Sequence, residues 1–129
     1  MANQFVVQLK NEPGSMATLA EALAARGVDL RAIGGGGIGD AGHVIMTTAD
    51  DATTKEVLEA GGYTFIEGES ILAEVDDRPG GMAALSRQLA DAGVNIYGHL
   101  FLGRWGDRAM FAFVVDDPDK ARPILERKR

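Results

Sequence analysis

"NEPGSMATLAEALAARGVDL" (Asn11–Leu30) and "DRPGGMAALSRQLADAGVNI" (Asp77–Ile96) are two versions of one stretch, 66 residues apart. Pro13 falls on Pro79, Gly14 on Gly80 and Met16 on Met82. Leu19 and Leu23 fall on Leu85 and Leu89, and Gly27-Val28 on Gly93-Val94. The register continues without gaps to Asp50-Asp51, which falls on Asp116-Asp117. A match over so many turn and core residues marks an internal duplication.

Each copy carries the same succession of signals. A strand comes first, Phe5–Lys10 and Ile71–Asp76. A Pro-Gly turn follows. Met16, Leu19, Ala20 and Leu23 then recur at i, i+3, i+4 and i+7, one apolar stripe of an amphipathic helix. Gly27 and Gly93 are placed to end the two helices in a left-handed turn. Second strands start at Val28 and Val94. Third strands run near His43–Ala49 and Ala109–Val115. A second helix follows an Asp cap, with Pro118 at the first helical position in the second copy; Ala121, Ile124 and Leu125 give its apolar side. The first copy adds a fourth strand near Tyr63–Glu67. The second ends before any such strand.

The order β-α-β-β-α-β followed by β-α-β-β-α predicts an α+β chain of two tandem ferredoxin-like units, residues 1–69 and 70–129. Each is an antiparallel sheet with its helices on one face, and the second lacks its final strand. That lack leaves a sheet edge to be covered, by a partner chain or by Tyr63–Glu67. The strands of the second copy are apolar on both faces: Met110, Ala112 and Val114 on one, Phe111, Phe113 and Val115 on the other. A sheet with one wet face alternates, so the face away from the helices is expected to be covered, most economically in a homodimer.

A strand ending in Asn11-Glu12-Pro13-Gly14 or Asp77-Arg78-Pro79-Gly80, a helix, then Gly27-Val28-Asp29-Leu30 or Gly93-Val94-Asn95-Ile96, resembles the ACT domain family over nearly the whole chain. The resemblance implies tandem regulatory ACT units without a catalytic domain. It implies a free amino acid bound at the Pro-Gly turns and at an interface between two ACT units. The residues it points to are Asn11, Glu12, Pro13, Gly14, Ser15 and Met16, with Asp29, in the first copy. In the second they are Asp77, Arg78, Pro79, Gly80, Gly81 and Met82, with Asn95. Asp29 and Asn95 would reach in from the neighbouring unit. Physical chemistry supports the turns as carboxylate sites. Free amides and the positive dipole end meet at a helix start, and Gly14 and Gly80 expose backbone there. Asn11 can donate and accept, whereas an ionised Asp77 only accepts, so the two sites are expected to differ. The bland alternative is that these turns serve geometry alone.

Other classes are weaker. The chain has no cysteine, which removes thiolate chemistry and zinc–thiolate sites. No catalytic residue and no metal set can be assembled: His43 and His99 occupy unrelated positions, and Ser15 and Ser70 have no histidine placed to activate them. The Asp pairs read as helix caps. No cofactor is expected. A net charge of −6 argues against nucleic acid, although RNA-recognition modules share this strand order. The basic tail, Arg122 and Arg127-Lys128-Arg129, reads as a solvated helix end. No run approaches the ~20 apolar residues of a membrane span, and the start is unlike a signal peptide, which makes a cytoplasmic protein the expectation. Its partners would be the amino acid, a second copy, and an enzyme or regulator of amino-acid metabolism. The alternative is an interaction module that has lost ligand binding and uses Tyr97, Phe101, Phe111, Phe113 and Trp105 as an adhesive surface.

One stretch stands apart. Gly34, Gly36 and Gly39 have the G-x-G-x-x-G spacing of a dinucleotide turn. Such a turn must open a helix, whereas this run lies between strands. At the 66-residue offset Gly34-Gly35-Gly36 falls on Leu100-Phe101-Leu102 and Gly37 on Gly103. Glycines weaken a strand unless something comes close. The expected visitor is another chain's side chains, or a ligand's, over Gly34–Gly37.

Overall fold

The computed structural model describes residues 3–127. Lys128 and Arg129, the end of the basic tail, lie outside the described residues. The chain forms two compact units that divide between Gly68 and Glu69.

The first unit contains β1 (Asn3–Lys10), α1 (Ser15–Ala25), β2 (Leu30–Ile38), β3 (Ala41–Thr48), α2 (Asp51–Ala60) and β4 (Phe65–Glu69). Its sheet has the order β2-β3-β1-β4, with β3 antiparallel to both β1 and β2. Leu19 and Leu23 of α1 and Leu58 of α2 are buried with Phe5, Val7, Val44 and Met46 on the helix-bearing face. Burial of each such side chain is worth about 1.5–3 kcal/mol. The second unit contains β5 (Ile71–Asp76), α3 (Gly81–Asp91), β6 (Ile96–Trp105), β7 (Arg108–Val115) and α4 (Pro118–Leu125). Its antiparallel sheet has the order β5-β7-β6. Leu85, Leu89, Ala121 and Leu125 pack with Ile71, Ala73, Val75, Phe113 and Val115.

The helix ends follow from local chemistry. Gly27 and Gly93 sit at φ +71° and +76° just past α1 and α3. Val28 and Val94 donate back to the Leu23 and Leu89 carbonyls at 3.0 and 2.9 Å, which satisfies carbonyls that a helix end leaves open. Asp50 and Asp117 cap α2 and α4 by accepting from the Thr53 and Lys120 amides.

These caps correct the ungapped register. Asp50 is equivalent to Asp117, and Asp51 to Pro118, one position beyond the sequence offset. Asp116 is no cap; its carboxylate accepts from the Asn95 amide at 2.9 Å. The extra residue enters at an irregularity in the β6–β7 ladder between Phe101 and Gly103, where a β-bulge places two residues against one. Gly35 pairs with Val44 as Phe101 pairs with Phe111, and Gly37 pairs with Gly42 as Arg104 pairs with Ala109. Gly37 therefore stands where Arg104 stands, not where Gly103 does.

Two further expectations change. β4, the strand expected near Tyr63–Glu67, lies beside β1 in the first sheet and so does not complete the second. The outer edge of β5 carries no strand among the described residues. Leu100, Ala112 and Val114 of the second sheet are buried, at 4%, 0% and 1% exposure. Phe113 lies in the core and is not part of an adhesive surface. Tyr97, Phe101 and Trp105 are exposed. Among the described residues no helix is long and apolar enough to cross a membrane.

Candidate functional site

The glycine run lies inside β2, and the turn at Gly39-Asp40 leads into β3. What approaches it is the chain itself. A Cβ on Gly35 would run into the backbone carbonyl of His43, and one on Gly37 would start 2.6 Å from Cγ of Asn11. Gly36 has nothing within 4 Å of its Cβ position. Close approach is the reason for glycine at two positions, and the expected foreign side chains are not needed to explain them.

At the start of α1, Gly14 adopts φ +91° as the N-cap residue and offers no side chain. Gly80 does the same for α3 at φ +90°. No side chain caps either helix. Both therefore present first-turn amides and the positive dipole end without a protein carboxylate in place, unlike α2 and α4, which Asp50 and Asp117 cap.

Two clefts flank the start of α1. The larger, about 760 Å³, is lined by Glu12, Pro13, Gly14 and Ser15 together with Lys10 and Tyr63. The smaller, about 370 Å³, is lined by Asn11, Glu12, Ser15 and Met16. Its floor and far wall are Ile33, Gly34, Gly35, Gly36 and Val44, with Leu9 beside them. The tertiary structure thus gathers Asn11, Glu12, Pro13, Gly14, Ser15 and Met16 around one helix start. Asn11 is held there by its Nδ2, which donates to the Gly39 carbonyl at 2.9 Å, and by its amide, which donates to the Asp40 carbonyl at 3.0 Å.

Asp29 does not join them. It follows the far end of α1, whose 11 residues span roughly 16 Å. Its carboxylate pairs with Arg31 at 3.2 Å and its carbonyl accepts from Ala49. Asn95 holds the matching place after α3 and exchanges backbone and side-chain bonds with Asp116. Within their own units both serve the return from helix to strand.

The second unit arranges the same turn differently. Its cleft is lined by Asp77, Arg78, Pro79, Met82, Arg104 and Phe111; Gly80 and Gly81 do not line it. Nε of Arg104 donates to Oδ2 of Asp77 at 2.9 Å, and its guanidinium carbon lies 4.8 Å from the centre of the Phe101 ring. Phe101 in turn meets Phe111 edge to face at 5.5 Å. Asp76 is bonded by both Arg78 and Arg108. Gly81 is pressed against the Asp76 carbonyl oxygen, with no room for a Cβ, whereas its counterpart Ser15 carries a side chain.

The sequence motif located the turns but missed Ile33, Val44 and Arg104. The first two carry no signal beyond strand hydrophobicity. Arg104 was hidden by the one-residue shift, which set Gly103 against Gly37. Among the described residues no three His, Cys, Asp or Glu side chains converge as a metal set.

No protein-family model matches the chain, and no curated protein matches it in sequence. Solved structures share its fold. A protein of Bacteroides thetaiotaomicron aligns over 97% of this chain and 86% of its own, at 20% identity and a TM-score of 0.71. The regulatory subunit of aspartate kinase from Thermus flavus aligns over 98% and 92%, at 18% identity and 0.67. The ligand-free form of that subunit from Thermus thermophilus aligns over 97% and 87%, at 20% identity and 0.63. The resemblance to ACT domains read from the duplicated motif thus extends to the fold of both units.

Proposed function

Starting from a tandem ACT fold shared with regulatory subunits, we propose that this chain is a non-enzymatic regulatory module that binds a free amino acid at the start of α1. The observation that carries this reading is the uncapped helix start of Gly14–Met16, open to clefts on both sides. The ligand carboxylate would take the first-turn amides, as an anion does at a helix N-terminus. Oδ1 of Asn11 would accept from the α-ammonium group while Nδ2 stays with Gly39. The ligand side chain would lie over Gly35 and Gly36, between Leu9, Met16, Ile33 and Val44. That lining favours an apolar side chain. Asp29 and Asn95 would contribute only from a neighbouring unit, since each lies at the far end of its own helix.

A thermal-denaturation screen of the twenty amino acids tests this. A ligand that binds the folded form raises the melting temperature with concentration, by about 2.7 kcal/mol of stabilisation at a hundred times its Kd. An apolar amino acid is expected to give the largest rise. Gly14→Val should remove the response, and Gly80→Val, equally strained at φ +90°, should keep it. No response to any amino acid at millimolar concentration sinks the reading. A response that survives in Gly14→Val places the site elsewhere.

A second reading rests on the exposed aromatics of β6, Tyr97 at 47%, Phe101 at 50% and Trp105 at 62%. These would join two copies as a homodimer, or dock an enzyme or regulator of amino-acid metabolism. Sedimentation of the wild type and of Trp105→Ser separates the cases. A dimer lost in the variant supports self-association, and a monomer in both removes it.

A further inference from the structure

We infer that Asp77, the ammonium acceptor of the second unit's cleft, is already taken by that unit's own Arg104, so that each chain offers one competent amino-acid site, that of the first unit, and not two. This inference rests on the amino-acid reading above and sharpens it.

The duplicated turns have the same backbone. Gly14 and Gly80 hold the same φ, and both helices start uncapped. The difference lies in what stands on the neighbouring strand. In the first unit the strand positions facing the helices beside the turn are Gly35, which lines the cleft, and Gly37, over which the Asn11 side chain lies. In the second unit the matching positions are Phe101 and Arg104. Arg104 stacks over Phe101 and donates to Asp77, the residue equivalent to Asn11.

An amino acid needs an acceptor for its ammonium group and a wall for its side chain. Arg104 brings both partners at once. Its guanidinium takes the Asp77 carboxylate and lies against the Phe101 ring. Asp76, the other carboxylate at the turn, is bonded by Arg78 and Arg108. The Arg104–Asp77 pair is partly exposed and weak as a stabiliser. As an occupant it is effective, because a tethered group competes at an effective concentration of about a millimolar or more. Free ligand must displace it before it can bind.

The bulge makes this arrangement possible. Leu102 is the additional residue, and it brings Arg104 onto the same face as Phe101 two ladder pairs on. Without it the alternation of the strand would send position 104 to the other face.

Equilibrium dialysis of the whole chain against each of the twenty amino acids, up to about 10 times the concentration that half-saturates the first site, tests the inference. Wild type should saturate at a single equivalent per chain. Arg104→Ala, or Phe101→Ala/Arg104→Ala where the ring swings into the space that Arg104 leaves, should bind a second equivalent and change the fluorescence of Trp105, the sole tryptophan. Far-ultraviolet circular dichroism matching wild type shows that the second unit of the variants remains folded. A second equivalent in wild type overturns the inference alone. So does a single equivalent in all three proteins. Binding by none of them overturns the amino-acid reading, and this inference with it.

Discussion

Nδ2 of Asn11 donates to the carbonyl of Gly39 at 2.9 Å, and the same side chain covers the place where a side chain on Gly37 would begin. The turn after β1 is thereby fastened to the tip of the β2–β3 hairpin. Asp77, the equivalent residue, cannot donate when ionised and instead accepts from Arg104. Asn11→Asp is expected to destabilise the first unit by about 1 kcal/mol, through the lost bond and a carboxylate facing a carbonyl. Adding Gly37→Arg should recover part of that loss by recreating the pair of the second unit. Urea denaturation of the single and double variants measures the coupling.

The glycine run divides into positions that need glycine and positions that do not. Gly35→Ala sets a methyl group against the His43 carbonyl, so the β2–β3 ladder must open, at a cost of about 1–3 kcal/mol. Gly36→Ala meets nothing within 4 Å and has no positive φ. It should be neutral or stabilise by about 0.4–1 kcal/mol through the unfolded chain. Opposite signs of the two shifts in melting temperature are the expected outcome.

A buried hydroxyl pair joins β3 to α2. Oγ1 of Thr48 and Oγ1 of Thr54 lie 2.7 Å apart, and Oγ1 of Thr54 also donates to the Asp50 carbonyl at 2.8 Å. Both residues are almost fully buried. Thr54→Val keeps the shape and leaves the Thr48 hydroxyl without this partner, which is expected to cost about 1–3 kcal/mol. Thr54→Ser keeps the hydroxyl and should cost less. Chemical denaturation ranks the two.

Asp50 gives the fold a pH dependence. The Thr53 hydroxyl bonds its carboxylate at 2.6 Å, and this bond, followed by that from the Thr53 amide, holds its pKa below the ordinary 3.8. The folded value lies below the unfolded one. The charged cap therefore stabilises fully above 3.8, and its contribution disappears as pH falls through the lowered value. Asp50→Asn keeps a capping oxygen and does not titrate. The stability advantage of wild type over Asp50→Asn should shrink as pH falls below 3.8. An advantage constant down to strongly acid pH would contradict this assignment.

Local interactions made much of the fold legible before any tertiary contact was known. Leu19, Leu23, Leu85 and Leu89 declared the buried helix faces by their spacing. Gly27 and Gly93 declared the helix ends because a left-handed turn penalises every residue with a Cβ. Asp117-Pro118 declared the start of α4. The element order followed, and so did the placing of the glycine run in a strand and hairpin.

The register of the second hairpin was not legible. An extra residue in a strand costs the sequence no visible signal, because alternation is lost only locally and both faces of β7 are apolar. Ladder pairing alone decided that Leu102 is the additional residue and that Arg104, not Gly103, stands opposite Gly37. The differences between the two turns are of this kind. Sequence determined that Asn11 and Asp77 occupy equivalent turns with different hydrogen-bonding capacity. Tertiary structure decided what each is bonded to, the Gly39 carbonyl in one unit and Arg104 in the other, because those partners come from a hairpin turn and a strand 28 and 27 residues away along the chain and only the folded sheet brings them within reach.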